Sequence, residues 1–192
     1  MKNTKKEMAI YKQNQAAELL RKEEAEKQVL ARKLENNAKE FTDNKNGTVT
    51  HKKTGLTWQR CSIGQNWTGA TCEGDAKSFT WDEAIQLTSN FAGKTDWRVP
   101  TKDELMKLVY CSDDQYNYSI DGKCINSNSV TRPTINTILF LNTPSSSFWS
   151  SSPHPGKTNL DSYLAWVIHF NEGIYSAGFR DNSYNFRLVR FE

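Results

Sequence analysis

The sequence predicts an α+β domain preceded by an N-terminal helical stalk. Three observations lead there: a first segment free of Gly and Pro, two capping-box signatures in the middle of the chain, and alternating aromatic segments confined to its last third. Helices early and strands late is the order of an α+β fold rather than a βαβ repeat. A chain of 192 residues has room for one main domain and an appendage.

Residues 1–40 are rich in Glu, Lys, Gln, Ala and Leu, a helical composition. Glu18 with Lys22, and Glu23 with Lys27, stand four apart in the favourable order. The apolar stripe fails midway, because Arg21-Lys22-Glu23-Glu24 separates Ala16 and Leu20 from Leu30 and Leu34. A coiled coil needs apolar a and d positions through several heptads. The segment is therefore expected to be a solvated stalk, with weak oligomerisation as the lesser reading. Lys2, Lys5 and Lys6 are followed by no apolar h-region, so no signal peptide is expected. Nor does any window approach the roughly 18 consecutive apolar residues of a membrane span.

The net charge of +3 belongs to the stalk, where ten Lys or Arg face seven Glu. Residues 41–192 balance at fifteen of each sign. A neutral head lacks the basic surface of nonspecific nucleic-acid binding, so no nucleic-acid partner is expected.

The polar stretch from Phe41 to Gly47 opens the head, placed at residues 41–192. Thr48-Val49-Thr50 and Leu56-Thr57-Trp58 read as a hairpin whose loop ends on Gly55. Thr80 and Glu83 have capping-box spacing. Trp81, Ala84, Ile85, Thr88 and Phe91 then follow on one helical face, and Gly93 supplies a stop. A short strand, Trp97 to Val99, runs into Pro100. There Thr101 and Glu104 repeat the capping box before Leu105 and Leu108. The segment from Cys111 to Cys124 is a polar surface loop. Strands are expected at residues 148–152, 165–170, 173–179 and 185–190, with Asn171-Glu172-Gly173 as a tight hairpin turn. In the last of them Phe186 and Leu188 share one face, and Arg187 and Val189 the other.

Four cysteines allow three disulfide connectivities. The local pairs, Cys61 with Cys72 and Cys111 with Cys124, are favoured because each closes a polar loop. Neither pair has zinc-site spacing. Disulfides place the chain at a cell surface, outside the cell or in a periplasm; free cytosolic thiols are the alternative if Met1 is the natural start. His51 and His169 read as structural histidines, while His154 lies in a loop between two prolines. The serine run 145–152 lacks a Gly-x-Ser-x-Gly elbow. No catalytic residue, metal or cofactor is expected.

The stretch Tyr175 to Asn185 has the composition of a binding loop, with rigid aromatics for area and amides for adaptable hydrogen bonds. Tyr175, Arg180, Asn182, Tyr184 and Asn185, together with His154, are the candidate ligand-binding residues. Aromatic rings stack on the apolar faces of sugars, and an arginine grips a sulfate or carboxylate in bidentate fashion.

Five motifs occur in order: Thr48-Val49-Thr50, Thr54-Gly55-Leu56-Thr57-Trp58-Gln59, Trp97-Arg98-Val99-Pro100-Thr101 with Glu104-Leu105, Phe148-Trp149-Ser150-Ser151-Ser152, and Arg187-Leu188-Val189-Arg190. Together they resemble the DUF1566 family, the C-terminal domain of the Legionella collagen-like adhesin, over about residues 41–192. The resemblance implies a C-type-lectin-like domain of two short helices and twisted antiparallel sheets. It is a variant related to formylglycine-generating enzymes and to retroelement-diversified receptor-binding proteins. It also implies a noncatalytic binding module whose partner is a surface glycan, such as a sulfated glycosaminoglycan, or a protein receptor. Family members are often trimers. The Glu-Pro-Asn and Trp-Asn-Asp triplets of calcium-dependent lectins are absent, so a calcium site of that type is not expected. Asp113, Asp114 and Asp121 read as a solvated acidic loop rather than an oxygen cage. Competing readings are a phage receptor-binding protein, a structural cap on a helical oligomer, and an oxidase. The last requires a free, reactive cysteine.

Overall fold

A computed structural model describes residues 2–112, 116–117, 123–124, 130–156 and 158–192. Helix α1 spans Lys2–Ala38, and then come β1 (Phe41–Asp43), β2 (Thr48–His51), β3 (Leu56–Gln59), β4 (Asn66–Trp67) and β5 (Cys72–Glu73). Helices α2 (Trp81–Gln86) and α3 (Lys102–Met106) follow, with β6 (Tyr116–Asn117) and β7 (Lys123–Cys124). The chain ends in β8 (Ser147–Pro153), β9 (Leu164–His169), β10 (Ile174–Phe179) and β11 (Val189–Phe191). The α+β class holds. Asp113, Asp114 and Asp121 lie outside the described residues.

From residue 6 to residue 29 the side chains of α1 are all exposed, as a solvated stalk requires. Its last two turns differ. Leu30, Lys33, Leu34, Asn37 and Ala38 are half-buried at helical spacing. Ala38 packs on the core of the head, and Asn136 donates from its amide to Leu34 O and Asn37 Oδ1, both at 2.8 Å. A side chain from the head thus ties down one backbone carbonyl and one side-chain amide in the last turn of the helix.

Two sheets organise the head. The first has the order β1-β2-β3-β11, all antiparallel, so the last strand pairs with the first hairpin. The second is β8-β9-β10, also antiparallel. Successive residues of a strand point to opposite faces. Val167 and Ile168 accordingly belong to two different cores. Ile168 joins Val49, Trp58, Leu105 and Phe170, whereas Val167 joins Trp81, Trp97, Trp149 and Leu188.

Both capping boxes form. At the second, Arg98 grips Glu104 with two 2.7 Å hydrogen bonds, and Thr101 N–H donates to the same carboxylate. Burial works against that charge, but the hydrogen bonds from Arg98 and Thr101 outweigh it and hold the Glu104 carboxyl below its ordinary range.

Three expectations need correction. The helix after Thr80 ends at Gln86 rather than reaching Gly93, with Leu87 extended. Phe91 instead pairs with Lys94 in a tight turn and packs edge-on against Trp97, which a continuous helix would prevent. Ile85, placed on the apolar face, is 41% exposed. Residues 97–99 make a single bridge, Arg98 to Val189, instead of a strand. Of the expected strand at 185–190 only Val189–Phe191 joins a ladder. The segment before it passes between the two cores, so Phe186, Arg187 and Leu188 are all fully buried and no face is left for solvent.

Both local disulfides are present, Cys61–Cys72 and Cys111–Cys124. The second backs the β9–β10 hairpin. A Cβ on Gly173 would come within 2.6 Å of Cys124 Sγ, and the residue has φ +71°, so both space and backbone demand glycine.

Candidate functional site

The six candidate binding residues fall into two groups on opposite faces of the β8-β9-β10 sheet, with one residue set inside. Trp166 stands opposite Ala177, and Tyr175 opposite Ile168, on the face turned to α3. The rings of Trp166 and Tyr175 meet edge-to-face at 5.4 Å. Lys102, the first residue of α3, lies over both, with Nζ 4.6 Å from the Tyr175 ring centre and 5.0 Å from that of Trp166. His154 closes the group, its ring 4.7 Å from Trp166 and its Nδ1 3.3 Å from Asp161 Oδ1. Hydrogen bonds from Thr158 hold the Asp161 carboxyl below its ordinary range, so it is an anion at neutral pH.

The other face carries Tyr184. Its ring packs at 4.8 Å on Trp149, over Gly178, where a Cβ would come within 3.0 Å of the tyrosine. Asn182 donates to the Tyr184 hydroxyl at 3.2 Å. Arg180 stacks on Trp81 with its guanidinium 4.1 Å from the ring. Its N–H donates to Tyr163 O and its carbonyl accepts from Trp81 N–H, which pins it where the sheet edge meets α2. Asn185 is 7% exposed, and its amide is occupied internally by Ser146, Lys77 and Ser78. It clamps the loop and offers nothing to a ligand.

Sequence reasoning missed four participants: Lys102, Trp166, Tyr163 and Leu160. No local signal singled out Trp166, which is half-buried like Leu164 of the same parity at the start of its strand. Leu160 and Tyr163 sit three apart around the short 3-10 turn Asp161–Tyr163, which eclipses them. They are 60% and 63% exposed, and Phe179 nearby is 51% exposed. Arg180 adjoins Tyr163 through its N–H to Tyr163 O, so Leu160 and Tyr163 form an apolar rim with a cation at its edge, while Phe179 shares the Tyr175 face of the sheet.

His169 has the look of a catalytic base but not the setting. Its ring nitrogens lie 2.7 Å from Ser147 Oγ and 2.7 Å from Ser176 Oγ, so one imidazole bridges all three strands. Both nitrogens are taken by hydroxyls, and neither meets the carboxylate that orients a nucleophile's base. Burial pushes its imidazole below the ordinary 6.5, opposed by Glu172, and burial likewise lowers His51, opposed by Glu40. The unfolded chain therefore takes up these protons at higher pH than the folded one. Stability is full above pH 6.5 and is expected to fall as pH drops through that value. His169→Gln should show a shallower loss than the parent between pH 7.5 and 5.5 in urea unfolding; equal slopes would remove His169 as the source.

Among the described residues no group of three or more His, Cys, Asp or Glu could hold a metal. No helix among them is long and apolar enough to cross a membrane. No curated protein and no solved structure matches the chain. A family model does match, the Lcl C-terminal domain, over residues 47–190, which takes in β2 to β10, the start of β11 and both disulfides. The head of this chain belongs to the Lcl C-terminal domain family.

Proposed function

We propose that the head is a noncatalytic, C-type-lectin-like adhesion module that binds surface glycans, sulfated glycosaminoglycans among them, through the rim around Arg180. The observation that carries this reading is the exposure of Leu160 and Tyr163 beside that arginine, whose N–H donates to Tyr163 O. Large apolar side chains grouped in water mark a binding surface. Rings supply flat faces for sugar stacking, and the guanidinium supplies charge-assisted hydrogen bonds to a sulfate or carboxylate. Membership of the Lcl C-terminal domain family and two disulfides support a surface or extracellular setting. An oxidase would need a free thiol, and all four cysteines are paired. The exposed stalk suits spacing the head from an anchor, and grouping heads into a trimer would strengthen weak sites through multivalency.

A glycan array with the chain displayed multivalently tests the reading. Binding to sulfated glycans is expected to weaken with salt and to fall about tenfold or more in Arg180→Ala, the loss of one charge-assisted contact. Tyr163→Ala, on an exposed ring, should weaken it without altering thermal unfolding. Binding that ignores both substitutions would move the site off the rim. Silence across the array would favour a protein receptor, as in a phage receptor-binding protein, or a structural cap.

A further inference from the structure

The outer face of the β1-β2-β3-β11 sheet is polar, as strand alternation requires, yet it is not open to solvent. Register sets Thr48 opposite Gln59, Thr50 opposite Thr57, and Thr57 opposite Arg190, while Val49, Trp58 and Val189 take the core face. Thr48, Thr50 and Thr57 are only 2%, 6% and 5% exposed. Their hydroxyls are sunk between the turn at Asn44 and Asn46 and the loop from Ala92 to Trp97. Between these walls lies a cleft of about 260 Å³.

The floor of that cleft is already ordered. Asn44 donates from its amide to the hydroxyls of Thr48 and Thr50, each at 2.9 Å. The Thr50 and Thr57 hydroxyls are 2.8 Å apart. The Thr48 hydroxyl in turn donates to Asn46 Oδ1 at 2.7 Å. A hydroxyl offers one donor and two acceptor sites, so Thr48 keeps one acceptor site and Thr57, with the Thr50 bond alone, keeps two further sites. Each hydroxyl already has a protein partner, and the sites left over are open to water or a ligand in the cleft.

Charge narrows the ligand class. The guanidinium of Arg190 is held by Asp96 at 2.8 Å, and Lys94 and Glu192 at the lining carry opposite signs. A sulfate or phosphate would find its attraction to the cations largely compensated. The volume equals that of about nine water molecules in the liquid, enough for one sugar ring. We propose that this cleft binds a single neutral sugar residue through the threonine and asparagine groups, with Trp97 as a side wall. It is a second site, and it stands whether or not the rim binds glycans.

The test is NMR of the isotope-labelled full chain, titrated separately with glucose, galactose, mannose and N-acetylglucosamine. A sulfated disaccharide serves as counter-probe. At least one neutral sugar is expected to shift the amides of Thr48, Thr50 and Thr57 and the Trp97 indole N–H. The dissociation constant should be about 1–10 mM, the range a ligand of this size reaches. Thr57→Val removes one hydroxyl at constant shape and should weaken binding about tenfold; Asn44→Ala, in the exposed turn, is the second variant if the first does not fold. The proposal is overturned by no shifts with any neutral sugar at about 100 mM, by shifts lying elsewhere, by a preference for the sulfated probe in the cleft, or by folded variants that bind like the parent. Rim binding is scored on the array, so failure of either reading leaves the other's readout intact.

Discussion

Arg187→Ala is expected to destabilise the head by about 3–5 kcal/mol, lowering the melting temperature by on the order of 10 °C. Arg187 is fully buried with its guanidinium 4.8 Å from the Phe140 ring. It donates to Gln59 O at 2.9 Å, to Arg60 O, to Thr143 Oγ1 at 2.6 Å and to Ser62 Oγ at 3.3 Å. Burial pushes the guanidinium down to about 9, which still leaves it charged at neutral pH. Its partners are neutral oxygens, so no ion pair offsets the desolvation. What holds the charge is a fork of hydrogen bonds that ties the end of β3 to the loop before β8. Truncation strands those oxygens in a dry interior, each at a cost of about 1–3 kcal/mol if water cannot enter. Arg187→Lys keeps the charge but loses the fork, and should recover only part of the loss. Calorimetry decides. A change below about 1 kcal/mol would mean that desolvation cancels what the hydrogen bonds return.

Trp149→Ala should cost a comparable amount, about 3–5 kcal/mol, and should also loosen the site. The residue is fully buried at the centre of the second core. Its indole N–H donates at 2.8 Å to Phe79 O, the carbonyl that also accepts from Tyr184 N–H at 3.0 Å. One indole therefore supports the Tyr184 ring through packing and its backbone through a shared acceptor. Trp149→Phe keeps the ring and leaves Phe79 O its Tyr184 partner, so its cost should be about 1–2 kcal/mol. Urea unfolding followed by far-ultraviolet circular dichroism gives both values without relying on tryptophan emission. If the alanine variant lost less than about 1 kcal/mol, the second core would not be what supports the face that carries Tyr184.

Much of the fold was legible because its signals are local. Thr80 with Glu83 and Thr101 with Glu104 specify helix starts by hydrogen bonds that span three residues. Cys61 with Cys72, and Cys111 with Cys124, close short loops. Gly and Pro deletion from residues 2–38 reads as helix without any tertiary help. Where the helix after Thr80 stops was not legible, because Phe91 leaves it to meet Trp97, a contact that no helical periodicity records.

The candidate binding residues stand close together in sequence, and there the sequence misleads. Tyr175 and Tyr184 look like one loop, but a strand of alternating faces and a reversal at 180–183 put them on opposite sides of a sheet. Asn185 has the composition of a binding residue, yet its neighbours Ser146, Lys77 and Ser78 arrive from about 39 and 107 positions away to enclose it. By itself the sequence determined the N-terminal helix, the helix caps, the disulfides, three of the four late strands and the family, since each depends on residues a few positions apart or on their order. Only the tertiary structure decided which side chains reach solvent together, which arginine is buried, and that a row of threonines lies in a cleft. Those outcomes depend on how β11 returns to β3 and how two cores share one sheet, and such long-range pairings leave no local periodicity to read.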